Sequence, residues 1–185
     1  GTFQHSLQVA NLAEMGALAI GANALLIRAG AIYHDIGKLR NPMYFIENQS
    51  SVINPHNDIE FDKSAEIIIN HVFDGIEIAK ENNLPSELID FIRTHHGTTT
   101  VEYFYKQYIA SFQDEEIDRN SFTYPGPKPF SKETAILMMA DSAEASARSI
   151  TKPNNENIDK LIEMVINKQL KEDQFSDADI TLKEI

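Results

Sequence analysis

The 185-residue chain contains no cysteine. That excludes disulfide bonds and thiolate metal ligation, and agrees with a reducing compartment without requiring one. Basic residues are scarce: 16 Lys and Arg against 28 Asp and Glu leave a net charge of −12. Such a chain has little means of holding a nucleic acid polymer, whose non-specific affinity rests on cations at phosphates. A small phosphate ligand stays open, because bound cations can dominate a local field. No run of about 18 apolar residues occurs, so no membrane-spanning helix is expected within it. No secretory leader is expected in this stretch: Gly1-Thr2-Phe3-Gln4-His5 leads straight into a helical pattern, the start expected of a domain cut from a longer protein. Internal repeats and strand-like alternation are also missing.

What is present is ordinary globular composition, 42% hydrophobic and 24% charged, in a length that suits one domain over residues 1–185. The apolar spacing predicts an all-α bundle of six to nine helices. The first runs from His5 to about Ile20 and stops at Gly21. Asn23 caps the second, which carries His34 and Asp35. Arg40 to Asp62 reads as a long loop with one helical turn at Met43-Tyr44-Phe45-Ile46. A third helix from Ser64 places His71 among its apolar positions. Another begins at Pro85 and closes on His95-His96-Gly97. Thr98 to Tyr108 reads as an unusually aromatic helix, and Ser111 to Phe130 as a mobile loop. Ser131 caps a closely packed Ala/Met helix carrying Asp141. A last amphipathic helix follows Asn154, then a short acidic tail from Asp177.

The chain is organised around Ile32-Tyr33-His34-Asp35-Ile36-Gly37-Lys38. Two costly polar side chains end a buried helix, and burying a charge without a partner costs several kcal/mol. Gly37 suits a left-handed helix exit, which leaves Lys38 free to meet an anion. His5, His34, His71, His95 and His96, with Asp35 and Asp141, all fall at helix ends or on buried faces. Taken singly, each histidine is a cap or a satisfied core residue. Together they need a shared partner. Seven nitrogen and oxygen ligands without sulfur suit iron, manganese or zinc better than magnesium or calcium. Seven ligands with one shared carboxylate hold two ions. Two ions about 3.5–4 Å apart suit phosphoryl or phosphodiester hydrolysis, with a hydroxide between them as nucleophile.

His5…His34-Asp35…Asp141 resembles the HD-domain superfamily of metal-dependent phosphohydrolases, and His71 with His95-His96 resembles its two-metal phosphodiesterase branch. More of the chain follows: Phe45-Ile46-Glu47-Asn48-Gln49, His95-His96-Gly97-Thr98-Thr99, Tyr124-Pro125-Gly126-Pro127-Lys128-Pro129 and Ala140-Asp141-Ser142-Ala143-Glu144-Ala145 are similar to the cytoplasmic HD domain of the seven-transmembrane HD receptors. That resemblance implies hydrolysis of cyclic di-AMP to linear pApA, in second-messenger signalling at the cytoplasmic side of the membrane. It implies transmembrane and extracellular regions elsewhere in the parent protein. It implies one metal on His5, His34, Asp35 and Asp141, another on His71, His95 and His96, and Asp35 bridging. Lys38 would meet a phosphate oxygen, acting in both binding and catalysis. Arg148, seven residues after Asp141 on the same helix face, is a second phosphate candidate, set against an ion pair with Glu144. Tyr105, with Tyr103, Phe104 and Tyr108, is a candidate for stacking a purine, set against ordinary packing. His56 reads as a loop residue, set against a role in contacting substrate.

A Gly-Tyr-Pro motif after the paired histidines marks the related cyclic di-GMP enzymes. Here Gly97-Thr98-Thr99 follows the pair, and Tyr124-Pro125-Gly126 lies far downstream in another order, which argues against cyclic di-GMP. Two other classes stay open: a phosphohydrolase of another nucleotide, and a non-catalytic nucleotide sensor. Iron, manganese and zinc all suit the histidine-rich ligand set, and a homo-oligomer is a further candidate partnership.

Overall fold

Small residues set how closely the helices of this protein approach one another. The computed structural model describes residues 1–49, 54–112, 118–150 and 153–185. Over these residues the chain forms seven α-helices: α1 (Thr2–Ile20), α2 (Ala24–Tyr33), α3 (Phe61–Glu81), α4 (Ser86–Thr94), α5 (Glu102–Ser111), α6 (Lys132–Ala147) and α7 (Asn155–Lys171). Five short 3₁₀ turns lie between them. Among the described residues the one β-type pairing is an isolated antiparallel bridge between Thr100 and Thr123.

The main core joins α1, α2, α4 and α6. Val9, Ala10, Ala13 and Ala17 of α1 meet Ile27 and Ala31 of α2, Leu88 and Phe91 of α4, and Leu137 and Ala140 of α6. Alanines on three of these helices let backbones close up, so that polar groups at one end of the bundle can converge. The caps work as the spacing predicts. Asn23 accepts from the Leu26 amide, and Ser131 and Thr134 form a reciprocal capping box on α6.

Five expectations change. Gly37 is not a left-handed exit: it lies inside the 3₁₀ turn Ile36–Leu39. Its role is close approach, since a Cβ there would lie 1.8 Å from the His71 carbonyl oxygen and 2.5 Å from the Gly75 nitrogen. The segment after it is not one loop with one turn. It carries 3₁₀ turns at Pro42–Tyr44, Ile46–Asn48 and Pro55–Asp58, although residues 50–53 lie outside the described residues. Helix α3 starts at Phe61, before Ser64, and α5 starts at Glu102 rather than Thr98. The mobile loop expected from Ser111 to Phe130 is partly core. Residues 113–117 fall outside the described residues, but Phe122 and Tyr124 are 2% and 7% exposed, because two aromatic rings beside the α3–α5 contact are worth more buried than solvated.

Candidate metal centre

Three histidines are aimed by the same local device. His34 caps the end of α2 and His95 the end of α4, where the last carbonyls of a helix have no intrahelical partner. The His34 Nδ1 donates to Ala31 O at 2.6 Å, and the His95 Nδ1 donates to Ile92 O at 2.8 Å. His71, inside α3, donates likewise to Ile68 O at 2.5 Å. Each bond fixes a tautomer and leaves the Nε2 lone pair facing inward. His5, in the first turn of α1, donates its Nδ1–H to Glu144 Oε2 at 2.6 Å instead.

The inward nitrogens and two carboxylates converge. Asp35 shows a different oxygen to each half of the cluster. Its Oδ2 lies 3.3 Å from both His5 Nε2 and His34 Nε2. Its Oδ1 lies 3.4 Å from His71 Nε2 and 3.7 Å from His95 Nε2. Asp141 Oδ1 closes the first half, 3.0 Å from His5 Nε2 and 3.5 Å from His34 Nε2. Two ligand groups result, His5/His34/Asp35 and His71/His95/His96, each with donor atoms within 4.8 Å of one another. All but His96 are buried. The His96 ring stacks on Tyr124 at 4.2 Å.

The donor set fits divalent cations. His71 Nε2 and His95 Nε2 stand 3.2 Å apart, yet both rings have spent their Nδ1 protons on carbonyls, so as neutral imidazoles they present lone pair to lone pair. The His34 Nε2 is buried and has no hydrogen-bond partner. Such groups are stable beside a cation and costly without one.

The cluster's own electrostatics are lopsided. For His5 and His34 burial alone would disfavour a charge, but Asp141 and Asp35 outweigh it and raise them to about 9 and about 10. His95 is lowered to about 3 by burial, then by the charges of His34 and His71. His96 falls well below its ordinary value by burial, then by His95 and His71. Both aspartates stay well below the usual carboxylate range: burial opposes this, and is overcome at Asp35 chiefly by His34 and Lys38, and at Asp141 by His34 and His5 beside it.

Lys38 is not free, as the reading of Gly37 implied. Its Nζ lies 2.6 Å from Asp35 Oδ2 and 2.8 Å from Glu47 Oε1, and its ammonium sits 5.0 Å over the Phe45 ring. Arg148 caps α6 and makes the anticipated pair with Glu144, through Nε at 3.1 Å and a terminal nitrogen at 2.5 Å. It also reaches toward Glu47 at 3.9 Å. Tyr105 is not brought to the cluster. Its ring meets Phe122, and the Arg119 guanidinium lies over it. The aromatics at the cluster are Tyr124, stacked on His96, and Phe45, edge-on to His71 at 5.6 Å. His56 is a packing residue, bonded to Tyr44 O at 2.8 Å and set against Phe104. Sequence reasoning missed Glu47, Tyr124 and the role of Glu144. The last had a signal, since Glu144 stands one turn after Asp141 on the same face.

A helical bundle whose first, second and sixth helices bring together His5, His34-Asp35 and Asp141 is the architecture of the HD domain, and the chain belongs to that family: the HD-domain family model matches residues 2–146. Over 100% of its length the chain is 47% identical to the cyclic-di-AMP phosphodiesterase PgpH of Bacillus subtilis and spans 26% of that protein. It is 46% identical to PgpH of Listeria monocytogenes, again over its whole length and 26% of the relative. The crystal structure of the L. monocytogenes PgpH HD domain in complex with cyclic-di-AMP superposes with a TM-score of 0.94 at 45% identity, over 99% of this chain and 84% of that one. The chain thus spans only 26% of the length of these curated relatives. Among its described residues no helix is long and apolar enough to cross a membrane.

Proposed function

We propose that this chain is the catalytic HD domain of a longer membrane protein. It hydrolyses cyclic di-AMP to pApA on the cytoplasmic side, using two divalent transition metal ions, iron or manganese in preference to zinc. The observation that carries the reading is Asp35, whose two oxygens face two separate groups of imidazoles. His5, His34, Asp35 and Asp141 would hold one ion, and His71, His95 and His96 the other, with Asp35 shared. Ions held there supply an activated water at neutral pH and offset the charge of a diester phosphate. The rest falls to the chain. Backbone carbonyls and Glu144 hold the ligand rings in one tautomer, so little reorganisation accompanies the reaction. Lys38 commits two of its three donors to Asp35 and Glu47 and offers the third to a phosphate oxygen. Arg148, held by Glu144 at the rim, adds a second cation. Water adds across one P–O3′ bond, leaving a 5′-phosphate and a free 3′-hydroxyl.

The test is a double variant, His34→Ala with Asp35→Ala. It should lose metal by elemental analysis and lose turnover of cyclic di-AMP, with helical circular dichroism retained. Turnover surviving in that variant refutes the reading. Product analysis with cyclic di-AMP, cyclic di-GMP and mononucleotides side by side decides the substrate.

A further inference from the structure

The family match ends at residue 146, yet the chain beyond it returns to the metal centre. After α7, Asp173 adopts a left-handed conformation with φ 60 and turns Gln174 inward, where it is 2% exposed. Its Oε1 accepts from the Thr98 amide at 2.9 Å, and its Nε2 donates to Thr98 Oγ1 at 3.0 Å and to Glu172 O at 3.1 Å. Thr98 lies two residues beyond His96. Between them stands Gly97, at φ 50, where a Cβ would lie 2.3 Å from Gln174 Oε1. The glutamine occupies the space that a side chain at 97 would need. Just before, Gln169 is 4% exposed and donates to Ser142 Oγ at 2.8 Å and Met138 O at 3.4 Å, either side of Asp141. Phe175 then packs on Ala135 and Met138 of the same helix.

We propose that residues 169–175 form a strap that fixes the His95–His96 turn against α6, with Gln174 as a positioning residue for the His71/His95/His96 group. The inference rests on reading that group as metal ligands. The turn needs an external hold. It leaves helix α4 through a left-handed glycine, and its Thr98 amide bonds to a side chain remote in sequence. The Gln174 amide accepts from the Thr98 N–H and donates to the Thr98 hydroxyl oxygen at once, a hold that no apolar side chain can supply. Through Gln169 and Phe175 the same segment grips the helix that carries Asp141. The strap therefore sets the second ligand group relative to the first.

The test uses the 185-residue chain titrated with Mn²⁺, followed by electron paramagnetic resonance, alongside amide hydrogen exchange. The wild-type chain should bind two equivalents and protect the Thr98 amide. Gln174→Ala should expose that amide and weaken one equivalent by about tenfold to a hundredfold, the scale of a lost ligand support. The other equivalent and the melting temperature should hold within error. Gln174→Glu, which still accepts from the Thr98 amide, should recover most of the protection and the affinity. Two unchanged equivalents despite lost Thr98 protection overturn the proposal. So do two affinities that fall in parallel with the melting temperature, the mark of a merely structural role. A wild-type chain that never binds a second equivalent fails earlier, at the metal reading, and takes the positioning role with it.

Discussion

At the scale of residues, what turns imidazoles into a candidate site is the group behind four of the five rings. Ala31, Ile68 and Ile92 offer carbonyls to three of them, while His5 relies on Glu144. A carboxylate behind a ligand histidine raises its basicity and fixes its tautomer. Glu144→Ala should therefore weaken metal binding by about tenfold to a hundredfold, measured by chelator competition. The shifted histidines also give the metal-stripped protein a stability optimum. His5 and His34 contribute fully below the unfolded value of 6.5, and that contribution is lost as pH rises through about 9 and about 10. His95 acts in reverse: with a folded value of about 3, the unfolded chain binds more protons below 6.5, so stability drops as pH falls from there. Melting of the stripped protein should peak near pH 6.5 and decline on both sides. Added metal should raise the melting temperature more at pH 8 than at pH 5.5, because binding displaces protons. The candidate cluster was legible in sequence because buried histidines and aspartates are rare without a shared reason. Glu144 and Glu47 were not, because a glutamate near an arginine or a lysine reads as a solvated pair until the fold covers it.

At the scale of elements, the turn after His34-Asp35 is pressed against α3. Gly37→Ala would drive a methyl into the His71 carbonyl and the Gly75 amide. Backbone cannot swing aside as a side chain can. The substitution should cost at least about 1–3 kcal/mol in urea denaturation, and should lower metal affinity by parting the two ligand groups. This is also where the sequence was least readable. The helices themselves followed from apolar spacing and from Asn23, Ser131 and Asn154, all local signals. The use of Gly37 depends on a helix thirty-odd residues away, so local rules assigned it the commoner glycine role. The same blindness turned the segment holding Phe122 and Tyr124 into a loop. Its prolines and acids announce irregular backbone, and irregular backbone is still core when aromatic rings dock beneath it. Of the two roles open to Tyr105, purine stacking and ordinary packing, the structure shows packing, with Phe122 and Arg119 taking up the ring.

At the scale of the whole molecule, charge and topology divide the work. A net charge of −12 sets a field around the candidate site that repels anions. Long polyanions feel that field over many contacts and a small dinucleotide over few. A single-stranded RNA of about thirty nucleotides should show no gel shift with this chain at physiological salt, and cyclic di-AMP turnover should be insensitive to its presence. The topology adds a consequence in time. The imidazole in the opening helical turn meets its carboxylate across 139 positions of sequence. On the ribosome, that first histidine must wait until the sixth helix has emerged. A nascent chain stalled any earlier carries only part of the cluster, with no Asp141 and no Glu144 to complete it.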